Sequence, residues 1–403
     1  AGLFFGQGRG PHRWLDLGWR ILCDELPKQV TADGVDYEAS VPYHRLVAEL
    51  FLLPAHYRML AGHDVTPAYR KRVVAMGRFT AAYTREAGTV PLLGDADDAR
   101  ALPLGTQPIN DHRYLVGLIG EIFSDDSLRG RAGGPMGEVR WLLGPQAAER
   151  LETYPAATRG SEAFAEGGVY VMANPRDHVF VDCGPIGLAG RGGHGHNDCL
   201  SFEAVLDGVH LVSDAGAYLY TASYEERNRF RATASHNTPQ IDGEEINRFI
   251  RPDYLWNLHY DAVPDVRLWQ PGETSDKLVT GHAGYQRLAH PVRPVRSYEL
   301  EHANHTLTIE DSFEEDVAAT HLVEVPLLLA PGVEAEVAGA GKVLLRAAGR
   351  NFHVTWYDPQ EWTLSLEEGR VSPSYGVVVP AVRLLWRRQG RLCPFRMTLA
   401  PAG

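Results

Sequence analysis

The stretch Gly168-Val-Tyr-Val-Met172, followed closely by His178-Val-Phe-Val181, marks a change of texture in the chain. Runs of this β-branched and aromatic kind recur from about residue 155 onward, at Leu200–Glu203, His210–Val212, Thr306–Ile309, Lys342–Leu345, Phe352–Trp356 and Gly376–Val379. Gly, Pro, Asp and Asn separate them at short intervals, the punctuation of strands joined by turns. Long helical periodicity is absent from this half. An antiparallel β-sandwich is therefore expected over 156–403.

Upstream, residues 1–155 read as helical. Between His44 and Ala61 apolar residues fall at Leu46, Leu50, Leu53, Tyr57 and Leu60, steps of four and three that place one stripe on a helix face. Pro54 is expected to kink that helix. Similar patterns lie at 69–86, 112–123 and 136–151, with turn-rich segments such as Gly94-Asp-Ala-Asp-Asp98 between them. Consecutive helices joined this way suggest a helical array, part of an α/α toroid. A chain of 403 residues exceeds what one core usually spans, so two domains are expected, divided between Arg150 and Gly167.

Composition narrows the function. The net charge of -12 argues against nucleic acid as the main partner, because phosphate binding needs a basic footprint. A polyanionic substrate would need a local basic cleft inside this acidic envelope. The four cysteines, Cys23, Cys183, Cys199 and Cys393, form no CxxC pair and their spacing demands no disulfide. The longest apolar run, near Leu50–Ala55, is too short for a membrane span. The chain opens on Ala1 without an initiator Met or a leader-like segment, and reads as a mature or truncated form.

Chemistry-bearing residues cluster early in the β half: Gly192-Gly-His-Gly-His-Asn-Asp198, Asp214, the basic run Arg227-Asn-Arg-Phe-Arg231, and His236. His196, Asp214 and His236 would make a two-histidine, one-carboxylate set suited to zinc, with a fourth position for water or another ligand. If the His194–His196 pair lies on a strand, both side chains share one face, and one histidine would bind metal while the other faces a cleft. With seventeen histidines in the chain, a chance pair is the alternative. In the helical half, Ser40-Val-Pro-Tyr-His44 precedes the striped helix, and Ser40 or Pro42 suits its start. Tyr43 and His44 would then sit at the positive end of the dipole. A tyrosine titrates near ~10, so acting as a base near neutrality asks its site for roughly 4 kcal/mol. An aromatic residue packed at a helix start is the plainer reading.

Taken together, Gly193-His-Gly-His-Asn-Asp-Cys-Leu-Ser-Phe202, Asp214-Ala-Gly-Ala-Tyr218, Arg229-Phe-Arg-Ala-Thr-Ala-Ser-His-Asn-Thr238, the segment from Gly34 to His44 and Pro91-Leu-Leu-Gly-Asp-Ala-Asp-Asp-Ala-Arg100 resemble the heparinase II/III family of polysaccharide lyases, which includes alginate lyases. The matches run in order over about two-thirds of the chain. The resemblance implies a multidomain α and β fold, an incomplete α/α toroid followed by a β super-sandwich. It implies β-elimination on a uronic-acid-containing polysaccharide or oligosaccharide by a bacterial enzyme, periplasmic or secreted, with a cytoplasmic location and a homodimer left open. By motif position Tyr43 would transfer the proton and His194 would be the cleft histidine. His196, Asp214 and His236 would hold a structural zinc. His44, Tyr220, Tyr224, Arg229 and Arg231 are candidate substrate contacts, and Arg227 is a further candidate to orient the uronate. Strand-edge salt bridges are the alternative for the arginines. Family members carry a substrate-neutralising Asn upstream of a Gly-Leu-Phe-Phe-Gly-like segment; here that segment opens the chain, so the expected Asn falls before residue 1, and Asn110 does not replace it by order.

Two rival functions follow. One is a non-catalytic glycan-binding or exopolysaccharide-assembly protein that keeps the fold. The other is a zinc hydrolase, disfavoured by the lack of a Glu in an HExxH-like context.

Overall fold

A computed structural model describes residues 1–315 and 318–402. The chain divides into two compact units. One comprises Ala1–Val90 with Asp98–Thr158, the other Pro91–Asp97 with Arg159–Gly403. The short segment 91–97 thus leaves the helical unit and joins the β unit, a crossing that hydrophobic patterning does not signal.

The helical unit holds α1 (Gly2–Phe5), α2 (Arg9–Gln29), α3 (Val41–Leu60), α4 (Pro67–Tyr83), α5 (Arg113–Phe123), α6 (Asp126–Arg131), α7 (Gly137–Leu143) and α8 (Pro145–Glu152). Its core is built from Leu26, Phe51, Leu52, Val73, Met76, Leu115, Ile119 and Leu151. The start of α3 follows local rules. Ser40 caps it, its hydroxyl accepting from the Tyr43 N–H at 3.2 Å, and a proline occupies the first turn. The face α3 buries differs from the expected stripe. Val47, Ala48, Phe51, Leu52 and Ala55 are buried, whereas Leu50, Tyr57 and Leu60 are exposed. Apolar residues encircle this helix, so spacing alone does not distinguish its inner side from its outer one. The buried charges Arg45 and Glu49 on α3 fasten the following loop. Arg45 donates to the Ile109 and Ala99 carbonyls, and Glu49 accepts from the Ala101 N–H and the Tyr114 hydroxyl.

In the β unit, β1 (Glu162–Phe164), β2 (Val169–Ala173), β3 (His178–Asp182), β4 (Phe202–Leu206) and β5 (Val209–Val212) form a five-stranded antiparallel meander. The one α-helix described here, α9 (Tyr224–Phe230), precedes β6 (Gln240–Ile241). Then come β7 (Pro264–Gln270), β8 (Ser275–His282), β9 (Val292–Glu301), β10 (Thr306–Glu315), β11 (Thr320–Leu328), β12 (Glu334–Gly339), β13 (Lys342–Ala347), β14 (Arg350–Trp356), β15 (Thr363–Ser374), β16 (Val377–Arg391) and β17 (Phe395–Pro401). An eight-stranded sheet runs β12-β13-β14-β17-β10-β9-β8-β7 and a four-stranded one β15-β16-β11-β6. Alternation is plain in β13 and in the first half of β11, where every second side chain turns inward, while the last four residues of β11 are all buried. All three sheets feed one apolar core, represented by Met172, Val179, Leu300, Ile309, Val325, Leu384 and Trp386. Cys23 in the helical unit and Cys183, Cys199 and Cys393 in the β unit are free thiols. Among the described residues no helix is long and apolar enough to cross a membrane.

His44, expected to touch substrate, is instead interior to the helical unit. It is 1% exposed, its Nε2 lies 3.1 Å from Thr80 Oγ1 and 3.3 Å from the Met76 carbonyl, and its ring stacks edge-on against Phe79. Burial pushes its imidazole down to about 3. The unfolded chain takes up a proton below about pH 6.5 that the folded chain refuses until about 3, so stability falls as pH drops through that window. At pH 4.5 this amounts to roughly 3 kcal/mol. Urea unfolding followed by helix signal at pH 7 and 4.5 is expected to show a smaller acid loss in His44→Gln than in the unsubstituted protein; equal losses would rule out this source.

Candidate metal and glycan site

Residues 191–201 form an irregular loop between β3 and β4, not a strand. The shared-face argument for His194 and His196 therefore does not apply, yet the two rings converge on one group. The Asp95 carboxylate, supplied by segment 91–97 and fully buried, receives His194 Nδ1 at 3.1 Å and His196 Nε2 at 2.9 Å. Arg227 of α9 joins them, with Nη1 2.7 Å from Oδ1 and Nη2 2.7 Å from Oδ2. The Asp95 N–H also donates to the His194 carbonyl at 2.9 Å. Burial works against the Asp95 charge. The Arg227 guanidinium and the two histidines outweigh it and hold the carboxyl well below the usual carboxylate range.

On the other side of His196 stands the second cluster. His196, Asp214 and His236 are all buried and each offers a ligand atom within 4.8 Å of the others. His236 Nδ1 lies 2.7 Å from Asp214 Oδ2. His196 Nδ1 and His236 Nε2 are buried without a hydrogen-bond partner, which is costly unless a cation accepts their lone pairs. Burial alone would lower the His236 pKa, but Asp214 prevails and pushes it up to about 9, a proton that a bound metal displaces. The donor set thus fits a divalent transition metal. Asp198, which the residue pattern did not single out, adds a further buried carboxylate nearby whose Oδ2 has no partner.

The loops that carry these ligands are fastened by amides. Asn197 bonds Glu245 and both backbone groups of Asn247, and Asn237 bonds the carbonyls of Phe202 and Ser213 and the N–H of Leu328. From the eight-stranded sheet, Arg296 reaches the Leu200 and Asn237 carbonyls while paired with Asp311 at 2.6 Å, both fully buried. Gly195 is required by a close approach, since a Cβ there would lie 2.3 Å from the Ile186 carbonyl oxygen.

The family is decided by two matches. Residues 156–393 fit the model described as heparinase II/III-like, C-terminal, and residues 1–105 fit that of the heparinase II/III N-terminus. The chain belongs to the heparinase II/III family. It is 24% identical over 300 residues to a heparin-sulfate lyase of Bacteroides stercoris and 22% identical over 314 residues to one of Pedobacter heparinus, covering 72% of this chain and 39% of each relative. It therefore spans about two-fifths of the length of those curated relatives. The fold is shared with the heparan sulfate lyase HepC of Pedobacter heparinus, at TM-score 0.77 and 18% identity, covering 100% of this chain and 58% of that one.

The remaining expected contacts of this heparinase II/III family chain separate. Tyr43 is half-buried in the first turn of α3, in the helical unit. Tyr220 is nearly buried, its ring 5.0 Å from Trp256 and 5.0 Å from Tyr375. Arg231 is fully buried and spent on Asn228 and the Leu255 carbonyl, so it is a brace rather than a substrate contact. Arg227 and Arg229 lie on α9 and Arg231 caps its C-terminus, none of them on a strand edge. The helical spacing turns Arg227 inward to Asp95 and leaves Arg229 exposed, paired with Glu225 and Glu226. Arg229 instead borders an open pocket of about 300 Å³ with Phe230, Arg370 and Arg383, a set that shares no residue with the Asp95 cluster. Tyr224 is exposed at the start of α9. Patterning missed Asp95 and Trp256. Trp256 is 38% exposed, packs edge-on to His194 at 5.8 Å, and lies under Arg227.

A chelator is expected to lower the thermal midpoint of the protein by several degrees, with recovery on adding a divalent ion. In His236→Ala neither treatment should move the midpoint. A chelator-insensitive unsubstituted protein would contradict the metal assignment.

Proposed function

We propose that this protein is a polysaccharide lyase that cleaves a uronic-acid-containing glycan by β-elimination, with a heparan-type chain as the first substrate to try. Family membership and the naming of both curated relatives as heparin-sulfate lyases support the reading. The observation that carries it is a partly exposed histidine, His194, held by a buried carboxylate beside an aromatic surface. In this reading the helices belong to an incomplete α/α toroid and the sheets to a super-sandwich, and the protein is periplasmic or secreted.

Elimination takes the proton from C5, next to the uronate carboxyl, and negative charge builds on that carboxyl. The C5–H electron pair forms the C4–C5 double bond, the C4–O bond breaks, and the leaving oxygen takes a proton. A site must therefore supply a base, an acid and cationic or hydrogen-bonding groups at the carboxylate. His194 Nδ1 is committed to Asp95, so its Nε2 is the atom that serves the substrate, as proton acceptor or as donor to the carboxylate. Tyr43, at the positive end of α3, is the proposed proton-transfer group to the leaving oxygen. Trp256 offers a flat face for a sugar ring. The metal, zinc in this proposal, would be held by His196, Asp214 and His236 and would supply structural rigidity to the loop bearing His194.

Absorbance of unsaturated uronate, followed across a panel of heparan, alginate and bacterial polyuronides, is expected to rise with one class. Tyr43→Phe should reduce that rate by a factor on the order of 10³. A folded Tyr43→Phe protein that keeps full activity would remove Tyr43 from the mechanism, and binding of glycan with no new double bond on any substrate would favour a non-catalytic binding protein. Trp256→Ala is expected to raise KM about tenfold with a smaller change in kcat; an unchanged KM would exclude it as a sugar platform.

A further inference from the structure

The two histidines of the Gly193–Asp198 loop present opposite edges to one carboxylate. His194 meets Asp95 through Nδ1 and His196 meets it through Nε2. Arg227, which can only donate, holds both Asp95 oxygens, so the carboxylate meets the two histidines as an acceptor. Arg227 Nη1 also lies 3.4 Å from His196 Nε2, but the Asp95 oxygen is nearer at 2.9 Å, so each imidazole places its proton on the nitrogen facing Asp95. His194 is forced into the Nδ1–H form, with its lone pair on Nε2. His196 is forced into the Nε2–H form, with its lone pair on Nδ1, the atom found buried and without a partner on the metal side.

We infer that Asp95 is a positioning residue that sets both tautomers at once, so that a single buried charge prepares His194 for proton handling and His196 for metal ligation. It acts through the histidines and does not touch the reacting atoms. The catalytic half of this role rests on the lyase reading proposed above; the tautomer half does not. The placement of Asp95 explains why segment 91–97 belongs to the β unit. Its Leu92 N–H donates to Glu203 Oε1 at 2.5 Å, which fixes the segment just before it delivers the carboxylate. A carboxylate oriented on an imidazole in this way fixes ring direction and favours the useful tautomer, the same physics that orients metal-bound histidines.

Asparagine at this position offers one accepting oxygen for two donating histidines, and its amide presents a donor where an acceptor is needed. Asp95→Asn also strands the buried Arg227, so the double variant Asp95→Asn/Arg227→Gln, which removes both charges, guards against a simple failure to fold. Long-range ¹H–¹⁵N spectra of ¹⁵N-histidine-labelled protein, with the His194 signal assigned through His194→Gln, read the tautomer directly. Metal content reads the state of His196. Steady-state kinetics on the substrate found by the panel read catalysis. The inference expects His194 in the Nδ1–H form in the unsubstituted protein. In the folded variant it expects a flip of that tautomer or loss of the metal, with kcat down on the order of 10³-fold and KM within about twofold. It is overturned if the variant keeps the metal and the Nδ1–H tautomer, or if unsubstituted His194 is found in the Nε2–H form. Should the unsubstituted protein form no unsaturated product, the lyase reading fails by itself, while the tautomer and metal measurements still decide the role of Asp95.

Discussion

One buried ion pair organises the site. Asp95 and Arg227 meet in a two-pronged contact from which water is excluded, and an uncompensated charge at either position would be costly. The pair is tolerable because its opposite charges meet at close range through two contacts. Two histidines also meet the carboxylate, and the guanidinium packs beside the rings of Tyr220 and Trp256, 5.4 and 5.3 Å from their centroids. Remove the carboxylate and the loop loses the contact that aims both histidines. Remove the arginine and the carboxylate loses its strongest partner.

The surrounding architecture serves to keep that cluster still. Antiparallel sheets with short turns leave long irregular loops at their ends, and such loops must satisfy their own backbone groups. Here Asn197 ties its loop to residues 245–247, and Asn237 and the Arg296–Asp311 pair tie residues 200 and 237 to sheets that share one apolar core. A metal at His196, Asp214 and His236 would add a further tie between three loop segments distant in sequence. The loop is thus held from the side away from solvent, and His194 and Trp256 are left at its partly open edge.

Legibility in the sequence followed the range of the interaction. Local rules were readable: the Ser40 cap and first-turn proline of α3 and the strands at 169–173 and 178–182; His196, Asp214 and His236 were readable as candidate ligands, and the fold brings them together. The burial of His44 was not readable, because an apolar residue occurs on every side of α3; of the expected stripe, Leu50, Tyr57 and Leu60 face outward and Leu46 and Leu53 are half-buried. The basic run at 227–231 looked like a set of equivalent cations. On α9 and its C-cap its members point in different directions, and Arg227, Arg229 and Arg231 have three separate fates. Asp95 sat in an acidic turn among Asp97 and Asp98, and only the crossing of segment 91–97 into the β unit distinguishes it.

The central claim is that these residues serve elimination rather than hydrolysis, and product mass separates the two most directly. Digestion of the preferred polyuronide in ¹⁸O-labelled water, followed by mass spectrometry, is predicted to give fragments lighter by one water than hydrolytic products, with no solvent oxygen incorporated by the cleavage. Fragments of hydrolytic mass carrying labelled oxygen would contradict the account.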